Sequence, residues 1–148
     1  MGPVAYVSLL LFGFLISNPF LGAVGADTCA REWLQYQGNC YGYFDEKMTW
    51  EEAEIECQSY ARGAHLASVL TRAETLVVAQ HISTYQVDLS DVWIGLHDIR
   101  QVSNGKWRWA DESSYNYQVW MTGTPNNVGK WNDASCKKQN SYICKHEL

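Results

Sequence analysis

Apolar positions recur with two different rhythms along this chain of 148 residues. Between Thr49 and Ile82 the spacing is three and four. Trp50, Ala53, Cys57 and Tyr60 line one face of a predicted helix. Thr49 and Glu52 have the spacing of a capping box, in which hydroxyl and carboxylate each take an orphan backbone N–H. Glu51, Glu52, Glu54 and Glu56 fill much of the remaining surface and read as a solvated face, and Gly63 is the expected stop. Thr71 and Glu74 repeat the box. Leu76, Ala79 and Ile82 follow at a spacing of three, with Val77 and Val78 broadening the stripe, which predicts a second amphipathic helix ending before the polar stretch Ser83–Asp91.

The other rhythm is that of short strands. Trp33 and Tyr36 precede a Gly38-Asn39 turn and the run Tyr41-Gly42-Tyr43-Phe44, a small hairpin. In Val92–Asp98, Ile94 and Leu96 share one face and Trp93 takes the other, so this reads as one buried strand around which the chain is organised. Gly95 suits a close approach by another backbone or a large ring. After the turn dipeptide Asn104-Gly105, Lys106-Trp107-Arg108-Trp109 alternates as a half-buried strand. Tyr115, Tyr117 and Trp120 lead into a loop from Met121 to Asn127. Gly129–Asp133 reads as a strand start and Tyr142–Lys145 as a closing strand. A hairpin, two helices and several short antiparallel strands make an α+β domain.

Composition places that domain. Val4–Leu21 is apolar, carries no charged side chain and is followed by small residues to Ala26, so residues 1–26 read as a secretory signal and residues 27–148 as the mature, extracellular domain. Pro19 and the small-residue exit argue against a retained anchor, and no other stretch is apolar enough to span a bilayer. The mature part, about 120 residues, suffices for one core. A net charge of −5 disfavours nonspecific adhesion to nucleic acid or other polyanions. Seven Trp and nine Tyr supply core area, and their faces also suit sugar rings. Five cysteines in a secreted chain imply disulfides with one left over, and without a Cys-x-x-Cys pair or clustered His a zinc site is not expected. Nucleophile-elbow, zincin and phosphate-loop motifs are absent, and nothing in the sequence sets Cys136 beside His97, so an enzyme is not expected. His65 and His97 flank apolar runs and read as packing or hydrogen-bonding residues. The final Lys145-His146-Glu147-Leu148 is close to a luminal retention signal, but His146 stands in place of its acidic residue.

Cys29, Cys40-Tyr41, Trp50, Cys57, His65-Leu66-Ala67-Ser68, Trp93-Ile94-Gly95-Leu96, Trp131-Asn132-Asp133, Cys136 and Cys144 together resemble the C-type lectin-like domain over essentially the whole mature chain. Cys40–Phe44, Glu56–Tyr60, Gly63–Ser68 and Trp93–Asp98 are similar in particular to the regenerating islet-derived proteins, type IV. The resemblance implies bridges Cys29–Cys40 and Cys57–Cys144, and a Pro125 bond that is cis in calcium-binding relatives. It also implies a shortened long-loop region. The family carries a further cysteine ahead of Trp131, with about ten residues and a strand that this chain lacks between Val128 and Gly129. Cys136 is thereby left unpaired, as a free thiol or as the link of a disulfide dimer.

What the resemblance implies about the site follows residue by residue. The family's calcium-ligating Glu-Pro-Asn triplet falls at Thr124-Pro125-Asn126, and a second acidic ligand belongs to the missing segment. Asn126, Asn132 and Asp133 remain, one carboxylate where Ca²⁺ needs several, so no metal or other cofactor is expected. Type IV relatives bind mannose-type glycans without calcium, through a surface that maps to Asp98, Ile99, Arg100, Gln101, Val102 and Ser103. Asp98 accepts hydrogen bonds, Arg100 donates several, and Gln101 and Ser103 do both. Ile99 and Val102 depart from the polar character of that surface. Asn126, Asn127, Trp131, Asn132 and Asp133 form a secondary set. The expected partners are mannose-type glycans, or in the rival reading a cell-surface receptor bound by a secreted signalling protein of the same fold.

Overall fold

In a computed structural model of the protein, residues 28–98, 106–120 and 130–148 are described. The signal reading for 1–26 therefore lies outside the described residues, as does the Pro125 bond. Glu32–Glu147 form one compact unit, and the second unit, Met1–Arg31 with Leu148, is represented only by residues 28–31 and 148.

The hairpin consists of β1 (Leu34–Tyr36) and β2 (Asn39–Met48), with Tyr36 opposite Asn39. Its central residues are Gln37 and Gly38, both at positive φ (47° and 80°). That is the two-residue turn whose twist matches the strands, and it sits one residue earlier than Gly38-Asn39. Helix α1 (Trp50–Gln58) opens on the predicted capping box: Thr49 Oγ1 accepts from Glu52 N and Glu52 Oε1 accepts from Thr49 N. Trp50, Ala53 and Cys57 are buried as expected. The helix stops at Gln58, so Tyr60 lies beyond it and Gly63, at φ 76°, belongs to the following turn. Glu54 is not part of a solvated face. Its carboxylate meets His65 Nδ1 at 2.6 Å and accepts from Leu66 N at 2.8 Å, tying α1 to β3 (His65–Leu66).

Helix α2 (Arg72–Tyr85) runs three residues past the predicted end. Only half of its capping box forms. Thr71 Oγ1 accepts from Glu74 N, but the Glu74 carboxylate turns inward to Leu70 N, Tyr41 Oη and Lys145 Nζ. The buried face follows Glu74 and Val78, leaving Leu76 more than half exposed, because a buried carboxylate rotates the helix away from the purely apolar stripe.

The closing strand, β7 (Asn140–Glu147), is longer than expected and is the centre of the larger sheet, whose order is β1-β2-β7-β3. Val92–Asp98 is not one strand. Val92–Trp93 (β4) pairs parallel with β7 at Ser141 and Tyr142, whereas Leu96–Asp98 (β5) pairs antiparallel with β6 (Trp107–Trp109) in a second sheet. Gly95 is the hinge between them. A Cβ there would lie 2.4 Å from the Leu66 carbonyl oxygen, the close backbone approach that the glycine predicted. β6 is half-buried as read, with Trp109 in and Arg108 out. At the other predicted strand start only Trp131 pairs, as an isolated bridge to Trp120.

Side chains alternate across a strand, and β7 uses both faces. Tyr142 and Cys144 join Trp50, Ala53, Cys57 and Leu66 under α1, whereas Ile143 joins Tyr41, Ala67 and Val78 under α2. Cys144 is bonded to Cys57, and closing that 87-residue separation contributes about 4.6 kcal/mol by chain entropy. Cys29 and Cys40 are disulfide-bonded too, and Cys136 is free and exposed. On the opposite face Lys145 is almost fully buried. Its three N–H donors go to Glu74 Oε2 (2.6 Å), Ser68 O and Ser68 Oγ (both 3.1 Å). This structural task accounts for the lysine of the terminal tetrapeptide. Lys145→Met should lower the unfolding free energy by about 3–5 kcal/mol, since it leaves the Glu74 carboxylate buried without a counter-charge. Denaturant unfolding with the disulfides intact measures it, and a loss below about 1 kcal/mol would contradict this role.

Candidate functional site

Where β4 passes into β5, the chain runs along the floor of a cleft of about 1120 Å³. Val92, Ile94 and Leu96 line the floor, Val78 and Ile82 of α2 form one wall, and residues 130–137 form the other. The local sequence explains the shape. Gly95 passes under the Leu66 carbonyl and sends β5 toward β6, so a continuous sheet does not cover this side.

Polar and aromatic residues are among the lining. Asp98, half-buried at the end of β5 and opposite Trp107, shares this lining with Asn132 and Asp133, both exposed, and with Lys130. The first residue of the predicted glycan surface and part of the secondary set thus line one cleft. Ile99, Arg100, Gln101, Val102 and Ser103, with Asn126 and Asn127, lie outside the described residues.

Trp131 belongs to the secondary set by sequence but is a core residue. It is buried, and Trp109, Tyr117 and Trp120 meet it edge-on at 86–88° with centroids 5.4–5.9 Å away. Its backbone N–H donates to Val119 O. This anchoring holds Asn132 and Asp133 at the cleft mouth. Trp107 and Trp120, 4.9 Å apart between centroids, are half-buried lining residues that the sequence reading placed only as strand and loop-approach aromatics. Trp120 Nε1 donates to Tyr115 Oη at 3.0 Å, which fixes the indole. The signal for these two was the dense aromatic content after Gly105, and what the sequence could not show was which rings line the cleft.

His97 packs as expected. Its ring stacks on Trp50 at 4.5 Å, and burial holds its pKa below the ordinary histidine value. It lines the same cleft as Cys136, but among the described residues no hydrogen bond joins imidazole to thiol. Asn140, at the base of β7, also lines the cleft. It is buried, and among the described residues its Nδ2 has no hydrogen-bond partner. Among the described residues no group of three His, Cys, Asp or Glu side chains is placed to hold a metal ion.

A lowered His97 pKa has a definite sign in stability. Below about pH 6.5 the unfolded chain takes a proton that the folded state resists, so stability falls as pH falls through that range. His81, whose pKa burial also lowers, contributes in the same direction. His97→Gln should therefore flatten the decline of unfolding free energy below about pH 6.5 relative to the parent chain. An identical slope in both proteins would contradict the assignment.

The sequence and fold have known counterparts. Residues 46–146 match the lectin C-type domain. Rat regenerating islet-derived protein 4 is 37% identical over 150 positions, covering 93% of this chain and 94% of that protein, and the human protein of that name is 38% identical over 151. The lectoxin-Enh3 of Pseudoferania polylepis is 34% identical over 163 positions, with both chains fully covered. Since this chain has only 148 residues, that relative carries residues without a counterpart here. Among solved structures, human lithostathine superimposes with a TM-score of 0.73 at 32% identity, over 81% of this chain and all of that one. The lectin CEL-I of Cucumaria echinata gives 0.69 at 31%, over 79% and 96%. The described geometry, the half-cystine positions and these likenesses agree: the chain belongs to the C-type lectin domain family.

Proposed function

We propose that this is a secreted lectin that binds mannose-type glycans without calcium and without catalysis. The observation that carries the reading is that Asp98, Asn132, Asp133, Trp107 and Trp120 all line one cleft. Carboxylates accept from vicinal sugar hydroxyls, the Asn132 amide both donates and accepts, and indole faces take the apolar side of a pyranose ring. Arg100, Gln101 and Ser103 lie two to five residues after Asp98 in sequence and carry the same donor and acceptor chemistry. Family membership supports the lectin class, and the names of the relatives support it further.

Calcium independence follows from the donor chemistry. A site with six to eight oxygens, several of them carboxylates, is not met by Asn126, Asn132 and Asp133, with Thr124 where the family places glutamate. The residues present do not fit the ion, so the sugar contacts are made by side chains alone. A second reading keeps the fold but assigns a protein receptor as partner. The apolar residues in the cleft lining, Val69, Ile82, Leu89, Val92 and Ile94 among them, favour it.

Retention of the secreted protein on mannan-agarose in EDTA, with elution by free mannose, is the expected result. Arg100→Ala should weaken retention about tenfold while shifting the unfolding midpoint by no more than about 2 °C. Retention that requires calcium would overturn the ion-free reading, and no retention on mannan or on a glycan array would favour the receptor.

A further inference from the structure

Residues 110–119 form no helix or strand, yet they pack Tyr115, Tyr117 and Val119 against the core around Trp109 and Trp131. Irregular chain has no backbone ladder to hold it, so its position falls to side chains. Trp120, at the end of this segment, lines the cleft. Whatever fixes the segment therefore fixes part of the lining.

Ser68, which follows β3, supplies the fixing point. It is fully buried, and every hydrogen-bonding position of its hydroxyl is used. The oxygen accepts from Lys145 Nζ at 3.1 Å and from Ser113 Oγ at 3.5 Å, so its own proton is directed to Asp111 Oδ2 at 2.5 Å. An ammonium group cannot accept, and the order Lys145 to Ser68 to Asp111 therefore cannot reverse. The other Asp111 oxygen accepts from Ser113 N at 2.9 Å and closes a turn. Between them Glu112 is held at φ 67°, the left-handed region that a residue with a Cβ rarely adopts. Such a conformation persists where surrounding contacts fix it.

Two residues beyond Ser113, the Tyr115 hydroxyl accepts from Trp120 Nε1 at 3.0 Å, and Trp107 lies 4.9 Å from that indole between centroids. Tyr117 Oη meets Thr75 Oγ1 at 3.4 Å and ties the segment to α2 as well. We propose that Ser68 and Asp111 are positioning residues: a hydroxyl oriented by a buried lysine holds the Asp111–Ser113 turn, and through Tyr115 it sets Trp120 in the cleft lining. The consequence for sugar binding rests on the glycan reading above, whereas the placement of Trp120 does not.

The indole N–H resonances of protein labelled with nitrogen isotope at tryptophan test the placement without a ligand. In Asp111→Asn one carbonyl oxygen cannot serve both Ser68 and Ser113, and Ser68→Ala removes the donor. Both variants should shift or split the Trp120 signal. The signals of Trp50 and Trp93, which donate to Ile94 O and Met48 O, should stay where they are and report an intact frame. Asp111→Asn leaves the Lys145–Glu74 pair whole, so it serves even if Ser68→Ala does not fold. An unmoved Trp120 signal, or one that moves together with those of Trp50 and Trp93, would overturn the proposal. Mannan retention tests the consequence. Asp111→Asn should weaken it about fivefold in the parent chain but less than about twofold in Trp120→Phe, because the two changes act on one contact. Equal losses in both backgrounds would overturn the binding role, since Trp120 would not carry the effect. A parent chain that mannan does not retain would refute the glycan reading instead, with the indole signals still deciding the placement.

Discussion

Two neighbouring residues of one strand hold the two helices of this domain. Cys144 and Lys145 are consecutive, so the pleat points them to opposite sides of β7. The first is covalently joined to α1 through Cys57, and the second reaches Glu74 at the start of α2. The fastenings differ in kind. The disulfide restricts the unfolded chain whatever its surroundings. The ion pair demands a particular arrangement, because a buried lysine is tolerated only if every donor finds a partner. Lys145 meets that demand through Glu74 and Ser68. Ser68 in turn donates to Asp111 at 2.5 Å, which accepts from Ser113 N, so the network reaches the segment after β6. Tyr41, opposite Lys145 in register, donates to Glu74. Burial, and then that hydrogen bond, drives its phenol far above the ordinary tyrosine range, so it remains a donor.

The cleft is a consequence of this frame. β7 is occupied along one edge by β2 and along the other by β3 and then β4, each only two residues long. The chain leaves that edge at Gly95 and enters a separate sheet stabilised by Trp109 and Trp131, with Trp120 and Tyr117 packed around them. The space between the two sheets and α2 is therefore bounded by rigid elements on three sides. Asp98, Asn132 and Asp133 are among the residues that line it.

Much of this was legible because local rules coincide with the tertiary structure. The Thr49–Glu52 box, the Trp50–Cys57 face, the hairpin, Gly95 as a close-approach site and the alternation of β6 all follow from residue chemistry at fixed spacing. The misreadings share one cause. Glu54 and Glu74 look like other surface carboxylates, and only the folded chain supplies the His65, Lys145 and backbone N–H partners that draw them in. Once Glu74 is buried, Leu76 must face outward. The split of Val92–Asp98 was hidden for a similar reason, since a two-residue pairing with β7 and a three-residue pairing with β6 read as one apolar run. The candidate glycan residues Asp98, Asn132 and Asp133 were assigned through family resemblance, and all three line the cleft. The half-buried positions of Trp107 and Trp120 in the cleft lining, and the Asn140 amide left without a partner among the described residues, depend on packing, which no spacing rule encodes.

Native-state hydrogen exchange tests most directly whether β7 is the element on which both helices depend. The amides of Ser141–Lys145 and of their β2 partners should be the slowest in the molecule and exchange only through global unfolding, with α1 and α2 opening at lower free energy. If instead the α2 amides persist while those of Ser141–Lys145 exchange through local opening, the closing strand is not the common anchor and this account of the fold is wrong.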